Sequence, residues 1–245
     1  MDMINAIIVA AGRGERFSEN KTAQTPDEQN LLKQFLPLGD KPVYLHSVAS
    51  LADLQEINAV FIVTGRDYIH TVEQDIERFR IGKVAQVVAG GKERQDSVWN
   101  GLLALPPETD IVLVHDGVRP FPPVAETREA IRIAQKHGAA ILAQPSTDTI
   151  KISPAEAPSK NSYPVVEQTI ERSRVWRAQT PQVFRFSLLM TAYEHVRKQN
   201  ITVTDEAQAV ELIKNPVYII PSSPDNIKIT TPTDLAMAYT FLGRD

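Results

Sequence analysis

Short runs of apolar residues alternate with segments in which apolar positions recur every three or four residues. The runs are rich in valine, isoleucine and alanine and cover residues 6–10, 59–63, 84–88, 111–114 and 139–143. The segments between them are predicted helices, and they cover residues 42–52, 67–79, 96–105 and 124–137. Continuous apolar strands separated by helices are typical of a parallel sheet covered on both faces. The pattern therefore predicts an α/β fold with a doubly wound, mostly parallel sheet.

The pattern changes after Gln144. Residues 148–152 and 165–170 alternate between apolar and polar positions and flank a polar, proline-containing stretch, so they predict an exposed hairpin. Helices are predicted at 187–199 and 205–214, strands at 217–220 and 227–229, and a last helix after the N-cap Thr231 with Pro232 at its first position. These elements favour one domain over residues 1–245, with a projecting β-arm at about 146–172.

Composition restricts the chemistry that is open to this chain. Its 245 residues include no cysteine, which excludes a disulfide framework, a thiolate zinc site, an iron–sulfur cluster and a cysteine nucleophile. The formal net charge of −4 argues against general nucleic-acid binding. No apolar run approaches the ~20 residues that span a bilayer, and residues 1–5 lack a basic segment or cleavage site. We therefore expect a cytoplasmic protein without nucleic-acid or membrane partners, which holds anionic ligands with a few local basic groups.

The first predicted strand leads into a glycine segment, residues 10–17, with the sequence AAGRGERF. Glycines let backbone N–H groups approach and cradle phosphate oxygens. The segment lacks the third small residue of a dinucleotide fingerprint and the Gly-Lys-Ser/Thr of a Walker A loop. A plain turn is the alternative interpretation, but two nearby cations, Arg16 and Lys33, favour a phosphate site.

Further polar residues follow other predicted strands, where doubly wound sheets bind their ligands. Asp116 could ligate Mg²⁺ or contact ribose or substrate hydroxyls, or it could simply begin a turn before Gly117. His115 is interpreted as a hydrogen-bonded structural histidine. Ser97 could contact a base or phosphate and could also cap the helix that follows. Lys228 is either a binding cation on a late strand or an ordinary exposed lysine.

Several of these segments together resemble a known family. They are AAGRGER at 10–16, KQ at 33–34, GGKERQDSV at 90–98, HDGVRP at 115–120, DT at 148–149, TPQ at 180–182, TDEA at 204–207 and NIK at 226–228. Over nearly its whole length the chain resembles the 2-C-methyl-D-erythritol 4-phosphate cytidylyltransferases. The resemblance implies transfer of CMP from CTP to methylerythritol phosphate, giving 4-diphosphocytidyl-2-C-methyl-D-erythritol and pyrophosphate, a step of the non-mevalonate route to isoprenoid precursors. It also implies the Rossmann-like sheet of the nucleotide-diphospho-sugar transferases.

The resemblance further implies roles for individual residues. Those implied in catalysis are Arg16, Lys33, Arg172 and Lys228. Those implied in nucleotide binding are Ala10, Ala11, Gly12, Gly14, Gly90, Ser97 and Asp116. Those implied in substrate binding are Asp116, Arg119, Thr149, Arg172, Thr204 and Lys228. The implied cofactor is Mg²⁺ carried mainly by the CTP phosphates, with no protein ligand assigned to it, and the implied assembly is a homodimer with crossed arms.

Departures from the family pattern leave alternatives open. Lys33 follows Leu32, where the family commonly has proline, and the loop before it is longer than usual, so Lys21 is the alternative catalytic cation. Gly117 and Val118 stand where an alanine pair is common, which leaves a ribitol 5-phosphate cytidylyltransferase as the alternative enzyme. From a different class, a non-catalytic nucleotide-binding regulator could use the same fold.

Overall fold

The computed structural model describes residues 2–12, 32–154 and 163–242. The strands in these ranges are β1 (Ile4–Ala10), β2 (Pro37–Leu38), β3 (Lys41–Pro42), β4 (Ala59–Thr64), β5 (Val84–Ala89), β6 (Ile111–Asp116), β7 (Ala139–Pro145), β8 (Lys151–Ile152), β9 (Gln168–Thr169), β10 (Trp176–Arg185) and β11 (Tyr218–Pro221). The α-helices are α1 (Val43–Ala52), α2 (Ile69–Phe79), α3 (Arg94–Ala104), α4 (Val124–His137), α5 (Phe186–Lys198), α6 (Glu206–Leu212) and α7 (Pro232–Phe241). Short 3₁₀ helices cover Lys33–Phe35, Arg66–Tyr68 and Arg172–Arg174. Within the described ranges, no helix has the length and apolar character needed to cross a membrane.

Seven strands form one central sheet in the order β11-β7-β10-β6-β1-β4-β5. β1 pairs in parallel with β4 and β6, β4 with β5, and β7 with β11. β10 lies between β6 and β7 and is antiparallel to both. The prediction of an α/β fold with a mostly parallel sheet is therefore confirmed, and the carboxyl ends of β1, β4 and β6 meet at one edge.

Apolar side chains on the two faces of the sheet enter separate cores, as a doubly wound sheet requires. On β1, Ile8 packs in the cluster that also contains residues of α1, α2 and α4, whereas Ile7 packs with residues of α3, α5 and α6. A third cluster, which we call the C-terminal cluster, joins Leu36, Leu38 and Val43 to Ile229 and Ala238. This last cluster holds the 3₁₀ helix Lys33–Phe35 and the segment around Lys228 on the same side of the molecule.

The structure also corrects several predicted elements. The predicted strand at 227–229 is wrong: Ile229 donates one backbone hydrogen bond to Val118 O (2.8 Å) and is buried in the C-terminal cluster, without a strand ladder. β10 was not predicted. The helix expected at 96–105 begins two residues earlier, because Glu93 forms a capping box with Asp96. The final helix follows Thr231 as predicted, and the Thr231 side chain accepts a hydrogen bond from the Asp234 N–H.

The arm is a two-stranded antiparallel ribbon of β8 and β9, in which Lys151 lies opposite Thr169 and Ile152 opposite Gln168. The predicted hairpin is therefore present, although its strands are only two residues long. Residues 155–162, between the two strands, lie outside the described residues. Several apolar side chains of the arm face solvent, including Tyr163 (93% exposed) and Val165 (74% exposed).

Candidate active site

A cavity of about 530 Å³ lies at the edge where β1 and β6 end. The end of β1 and the residues that follow it, Ala11 and Gly12, form one wall, and the loop before α3 forms another. The 3₁₀ helix Lys33–Phe35, the end of β6 and Lys228 complete its lining. This is the position that the order of the strands favours for ligands in a doubly wound sheet.

Asp116, the last residue of β6, is surrounded by cations. Its Oδ1 accepts from Arg94 Nε (3.1 Å) and lies 3.0 Å from Arg94 Nη2. Its Oδ2 accepts from Lys228 Nζ at 2.7 Å and lies 3.9 Å from Arg119 Nε. Burial by itself would raise the pKa of Asp116, but the charges of Arg94 and Lys228 outweigh burial and hold this pKa well below its usual range. Asp116 is therefore a fixed negative charge that orients two cations at the cavity.

Arg94 connects Asp116 to a second, fully buried carboxylate. Its Nη1 and Nη2 donate to the two oxygens of Glu206, at 2.7 and 3.1 Å. The Tyr193 hydroxyl donates to Glu206 Oε1 at 3.1 Å. Burial opposes the charge on Arg94, yet the two carboxylates raise the pKa of Arg94 well above its ordinary value. Arg94 is thus held rigidly, with 30% of its side chain exposed at the cavity wall.

The loop between β5 and α3 lies close against the end of β1. A Cβ atom at Gly90 would lie 2.5 Å from Ala11 Cβ and 3.0 Å from Ser97 Oγ. At Gly91, a Cβ would lie 2.2 Å from the Cβ of Asp96. These approaches need glycine, because no side-chain carbon fits at such distances. Close packing therefore brings the two backbones together at the cavity.

Ser97 fixes this loop from inside the helix and is not the N-cap. Its hydroxyl donates to Glu93 O (3.1 Å) and accepts from the Gly91 N–H (3.1 Å). The prediction that Ser97 caps the helix is therefore wrong, since Glu93 occupies the N-cap position. Ser97 does line the cavity, where its hydroxyl oxygen is close to the Gly91 backbone.

His115 is buried behind the cavity and fully hydrogen-bonded. Nε2 lies 2.9 Å from Arg119 O, which can only accept, so Nε2 carries the hydrogen. Nδ1 lies 3.1 Å from Thr180 Oγ1. Burial lowers the pKa of His115 to about 4, so the ring is neutral at pH 7. The interpretation of His115 as a structural histidine is confirmed by these contacts.

The structure brings about half of the predicted site residues together at the cavity. Those that line it are Ala10, Ala11, Gly12, Lys33, Ser97, Asp116 and Lys228. Gly90 packs directly behind this lining, and Arg119 is buried beside Asp116, where its Nη1 donates to Asn226 O at 2.6 Å. Gly14, Arg16 and the alternative cation Lys21 lie outside the described residues.

Three predicted residues are placed away from the cavity of their own chain. Thr149 and Arg172 lie on the exposed arm, and Arg172 Nη1 donates to Thr147 O at 3.0 Å. Thr204 is also exposed, and both its N–H and its hydroxyl donate to Gln208 Oε1, at 2.7 and 3.1 Å. Within one chain, therefore, these side chains do not line the site.

Sequence reasoning assigned no role to Arg94, Glu206 or Gln34, which the structure places in or directly behind the cavity. All three belong to the short segments that carry the family resemblance. A glutamate beside Ala207 and Ala209, on the apolar face of a short helix, is a signal for a buried and paired carboxylate. The partner of this glutamate is Arg94, which lies 112 positions earlier. The residues around Arg94 give no indication of this pairing.

Comparisons with known proteins agree with one another. The family model for IspD, 2-C-methyl-D-erythritol 4-phosphate cytidylyltransferase, matches residues 4–244. The enzyme of that name from Pelotomaculum thermopropionicum is 39% identical over 245 residues, with 99% of this chain and 95% of the relative covered. The one from Geobacillus kaustophilus is 42% identical over 237 residues, with 97% and 96% covered.

A solved structure, the 4-diphosphocytidyl-2C-methyl-D-erythritol synthase from Anaerococcus prevotii, matches with a TM-score of 0.81 and 30% identity. The match covers 99% of this chain and 97% of that chain. The chain belongs to the 2-C-methyl-D-erythritol 4-phosphate cytidylyltransferase family.

Proposed function

We propose that this chain transfers CMP from CTP to 2-C-methyl-D-erythritol 4-phosphate and releases pyrophosphate, with the cavity at the end of β1 and β6 as its active site. The observation that supports this site is the set of basic side chains on one cavity, Lys33, Arg94 and Lys228, beside a glycine segment. Such a set fits a ligand with several phosphate groups. Family membership supplies the identity of the two substrates.

The reaction needs charge stabilisation more than proton transfer. An oxygen of the acceptor phosphate attacks the α-phosphorus of CTP, and the bond from that phosphorus to the oxygen bridging to the β-phosphate breaks. Pyrophosphate leaves with the electron pair. Because the attacking oxygen is already anionic, no proton has to be removed. The neutral, fully bonded His115 and the ion-paired Asp116 agree with a site that has no general base.

Positioned cations supply the catalysis in this scheme. Lys33, with Arg16 from the glycine segment, would neutralise charge that builds up on the α-phosphate and the departing pyrophosphate. Lys228, fixed by Asp116 at 2.7 Å, would hold the acceptor phosphate against its repulsion from the triphosphate. The loop between Gly90 and Ser97, whose residues 91–94 line the cavity, would contact the cytidine.

Magnesium fits this site as an ion bound through the phosphates of CTP. Both oxygens of Asp116 already accept hydrogen bonds from cations. In the part of the chain that the structure describes, no three His, Cys, Asp or Glu side chains come together to hold a metal. When bound with CTP, the ion would offset part of the charge of the phosphates. We expect Mg²⁺ to tighten CTP binding and to show no measurable binding to the protein alone, both by calorimetric titration.

We also propose a homodimer in which each arm reaches the partner's cavity. The exposed apolar side chains of the arm support a covered position in an assembly, and Arg172 and Thr149 lie away from the cavity of their own chain. Co-expression of Arg172→Ala with Lys228→Ala tests this arrangement. If the arms cross, mixed dimers contain one intact site and regain activity that neither variant has alone. Mixed dimers without activity would contradict it.

The substrate assignment is tested by pyrophosphate release from CTP with Mg²⁺, comparing methylerythritol phosphate with ribitol 5-phosphate. We expect release with methylerythritol phosphate. Preference for ribitol phosphate would overturn the acceptor, and CTP binding without any release would indicate a non-catalytic regulator.

The role of Lys33 is tested in the same assay. Lys33→Ala should lower kcat by roughly 10²–10³-fold, the effect of losing one preorganised donor. Lys198→Ala, at an exposed lysine on α5, is the matched control and should keep wild-type turnover. Near-normal turnover in Lys33→Ala would remove Lys33 from the mechanism and direct attention to Lys21.

A further inference from the structure

The Gln34 side chain bridges two backbone carbonyl groups of the glycine segment. Gln34 is 1% exposed, and its Nε2 donates to Ala10 O and to Gly12 O, both at 2.9 Å. A primary amide carries two N–H groups, so these two bonds use both of them. Ala10 ends β1 and Gly12 lines the cavity. The amide therefore ties residues 10–12 to the 3₁₀ helix that carries Lys33.

This contact matters because carbonyl oxygens repel phosphate. A phosphate site must present N–H groups and direct its carbonyl groups elsewhere. In a planar trans peptide, the N–H of a residue points opposite to the preceding carbonyl. Holding Ala10 O against Gln34 therefore also fixes the direction of the Ala11 N–H. The Gln34 amide keeps two carbonyl groups engaged that would otherwise be free to rotate toward a bound anion.

The other end of the same short helix is held by aromatic packing. The Phe35 ring stacks on Tyr68 (4.7 Å between centroids) and meets Tyr44 edge-on (5.4 Å). The N-cap residue of the helix, Leu32, makes no side-chain cap hydrogen bond. Phe35 thus anchors the helix on the core, and Gln34 anchors it on the glycine segment. Between them, they set the distance from Lys33 to that segment.

The two polar atoms of the Gln34 amide differ in their hydrogen bonding, because Nε2 makes two bonds to backbone carbonyl groups. Its Oε1 is buried and has no hydrogen-bond partner among residues 2–12, 32–154 and 163–242. The two carbonyl groups dictate the orientation of the amide, because only its NH₂ side can satisfy them. The orientation of the amide is therefore set by its contacts with the backbone at the cavity.

From these contacts we infer that Gln34 is a positioning residue, which holds the backbone of residues 10–12 in a conformation that accepts the phosphates of CTP and fixes Lys33 beside it. The inference rests on the proposed function in so far as the ligand is CTP. It assigns Gln34 to the phosphate-binding part of the site and not to recognition of the cytosine base.

Calorimetric titration of the full chain with CTP and with cytidine separates these possibilities. Gln34→Met keeps the side-chain length and removes both donors. We expect the Kd for CTP to rise on the order of 30- to 100-fold, the effect of two lost hydrogen bonds, while the Kd for cytidine changes by less than about 3-fold. Equal losses for both ligands, or an unchanged Kd for CTP, would overturn the inference.

Asn5→Leu is the matched control. Asn5 is also a buried primary amide on β1, but it lies at the opposite end of the strand, where its Nδ2 donates to Thr109 Oγ1 at 2.8 Å. This variant loses a comparable buried contact and should keep the wild-type ratio of CTP to cytidine affinity. A changed ratio in Asn5→Leu would show that general destabilisation produces the effect, and would overturn the inference.

A second variant keeps the test decisive if Gln34→Met does not fold. Gln34→Glu keeps the shape and places a carboxylate against the two carbonyl groups, so CTP binding should weaken more than cytidine binding by at least the same factor. Because no turnover enters the titration, a wild-type protein that binds CTP without releasing pyrophosphate would refute the proposed function alone. A wild-type protein that binds cytidine as tightly as CTP would overturn the role given to Gln34.

Discussion

Replacement of Arg94 by methionine tests how the charges behind the cavity stabilise the fold. Methionine keeps much of the length of the side chain but removes its charge and all its donors. Glu206, which is fully buried, would lose two hydrogen bonds of 2.7 and 3.1 Å and keep the one from Tyr193. Asp116 would lose its 3.0 Å pair with Arg94 but keep Lys228 at 2.7 Å.

The expected loss of stability depends mainly on Glu206, because Asp116 keeps an ion pair with Lys228, whereas Glu206 loses its pair with Arg94. Removing one partner of a buried ion pair costs about 3–5 kcal/mol, because the remaining charge is left without compensation. The Arg94 side chain is 30% exposed, so water can reach part of the space that it vacates. We therefore expect the free energy of unfolding to fall by about 3 kcal/mol, at the lower end of that range. A domain stabilised by about 5–15 kcal/mol stays folded after such a loss.

Urea unfolding followed by far-UV circular dichroism measures this change, with the m-value as a check that the transition is unaltered. Arg132→Met is the control, because Arg132 forms an exposed pair with Glu129 (2.6 Å) that should be worth less than about 1 kcal/mol. The double variant Arg94→Met/Glu206→Leu removes both charges and should regain much of the lost stability. A loss below about 1 kcal/mol in Arg94→Met, or a double variant less stable than the single one, would refute this reasoning.

Three further predictions concern the loop, the buried histidine and the last helix. Gly90→Ala should weaken CTP binding about tenfold or more in a titration, because the new Cβ would lie 2.5 Å from Ala11 Cβ, whereas Gly82→Ala, with open space around it, should bind normally. Burial lowers the pKa of His115 from 6.5 to about 4, so between these pH values the histidine binds a proton in the unfolded chain but not in the native protein. Lowering the pH from 6.5 to 4 should therefore reduce the free energy of unfolding by about 3 kcal/mol more in the wild type than in His115→Gln. Urea unfolding at several pH values measures this difference. Thr231→Ala should lower the free energy of unfolding by about 1 kcal/mol in the same assay, through loss of the N-cap, and an unchanged value would show that Asp234 caps the helix alone.

The sequence pattern was sufficient for those parts of the fold that depend on local periodicity. β1, β4, β5, β6 and β7 are continuous apolar runs, and each lies within two residues of its predicted bounds. The same pattern places the glycine segment and Asp116 at neighbouring strand ends, so their meeting at one cavity was predictable.

Long-range contacts decide the rest, and they have no local signal. β10 carries Gln179, Pro181 and Gln182, which are unusual in a central strand, and it becomes buried because it inserts between β6 and β7. Its pairing with β7 shifts register between Ala178 and Gln182, around the proline that has no N–H to donate. Packing with distant strands therefore overrides a sequence that does not look like a strand.

The C-terminal cluster has a consequence for the synthesis of the chain. Helix α7 reaches back to the segment after Lys33, where the Tyr239 hydroxyl donates to Pro37 O at 2.8 Å across 202 positions. Leu36 and Leu38 are synthesised early, and they cannot pack against α7 until that helix has left the ribosome. A nascent or truncated chain that stops before α7 carries Leu36 and Leu38 but lacks their packing against Ala238. The C-terminal cluster is therefore completed only after α7 has been synthesised.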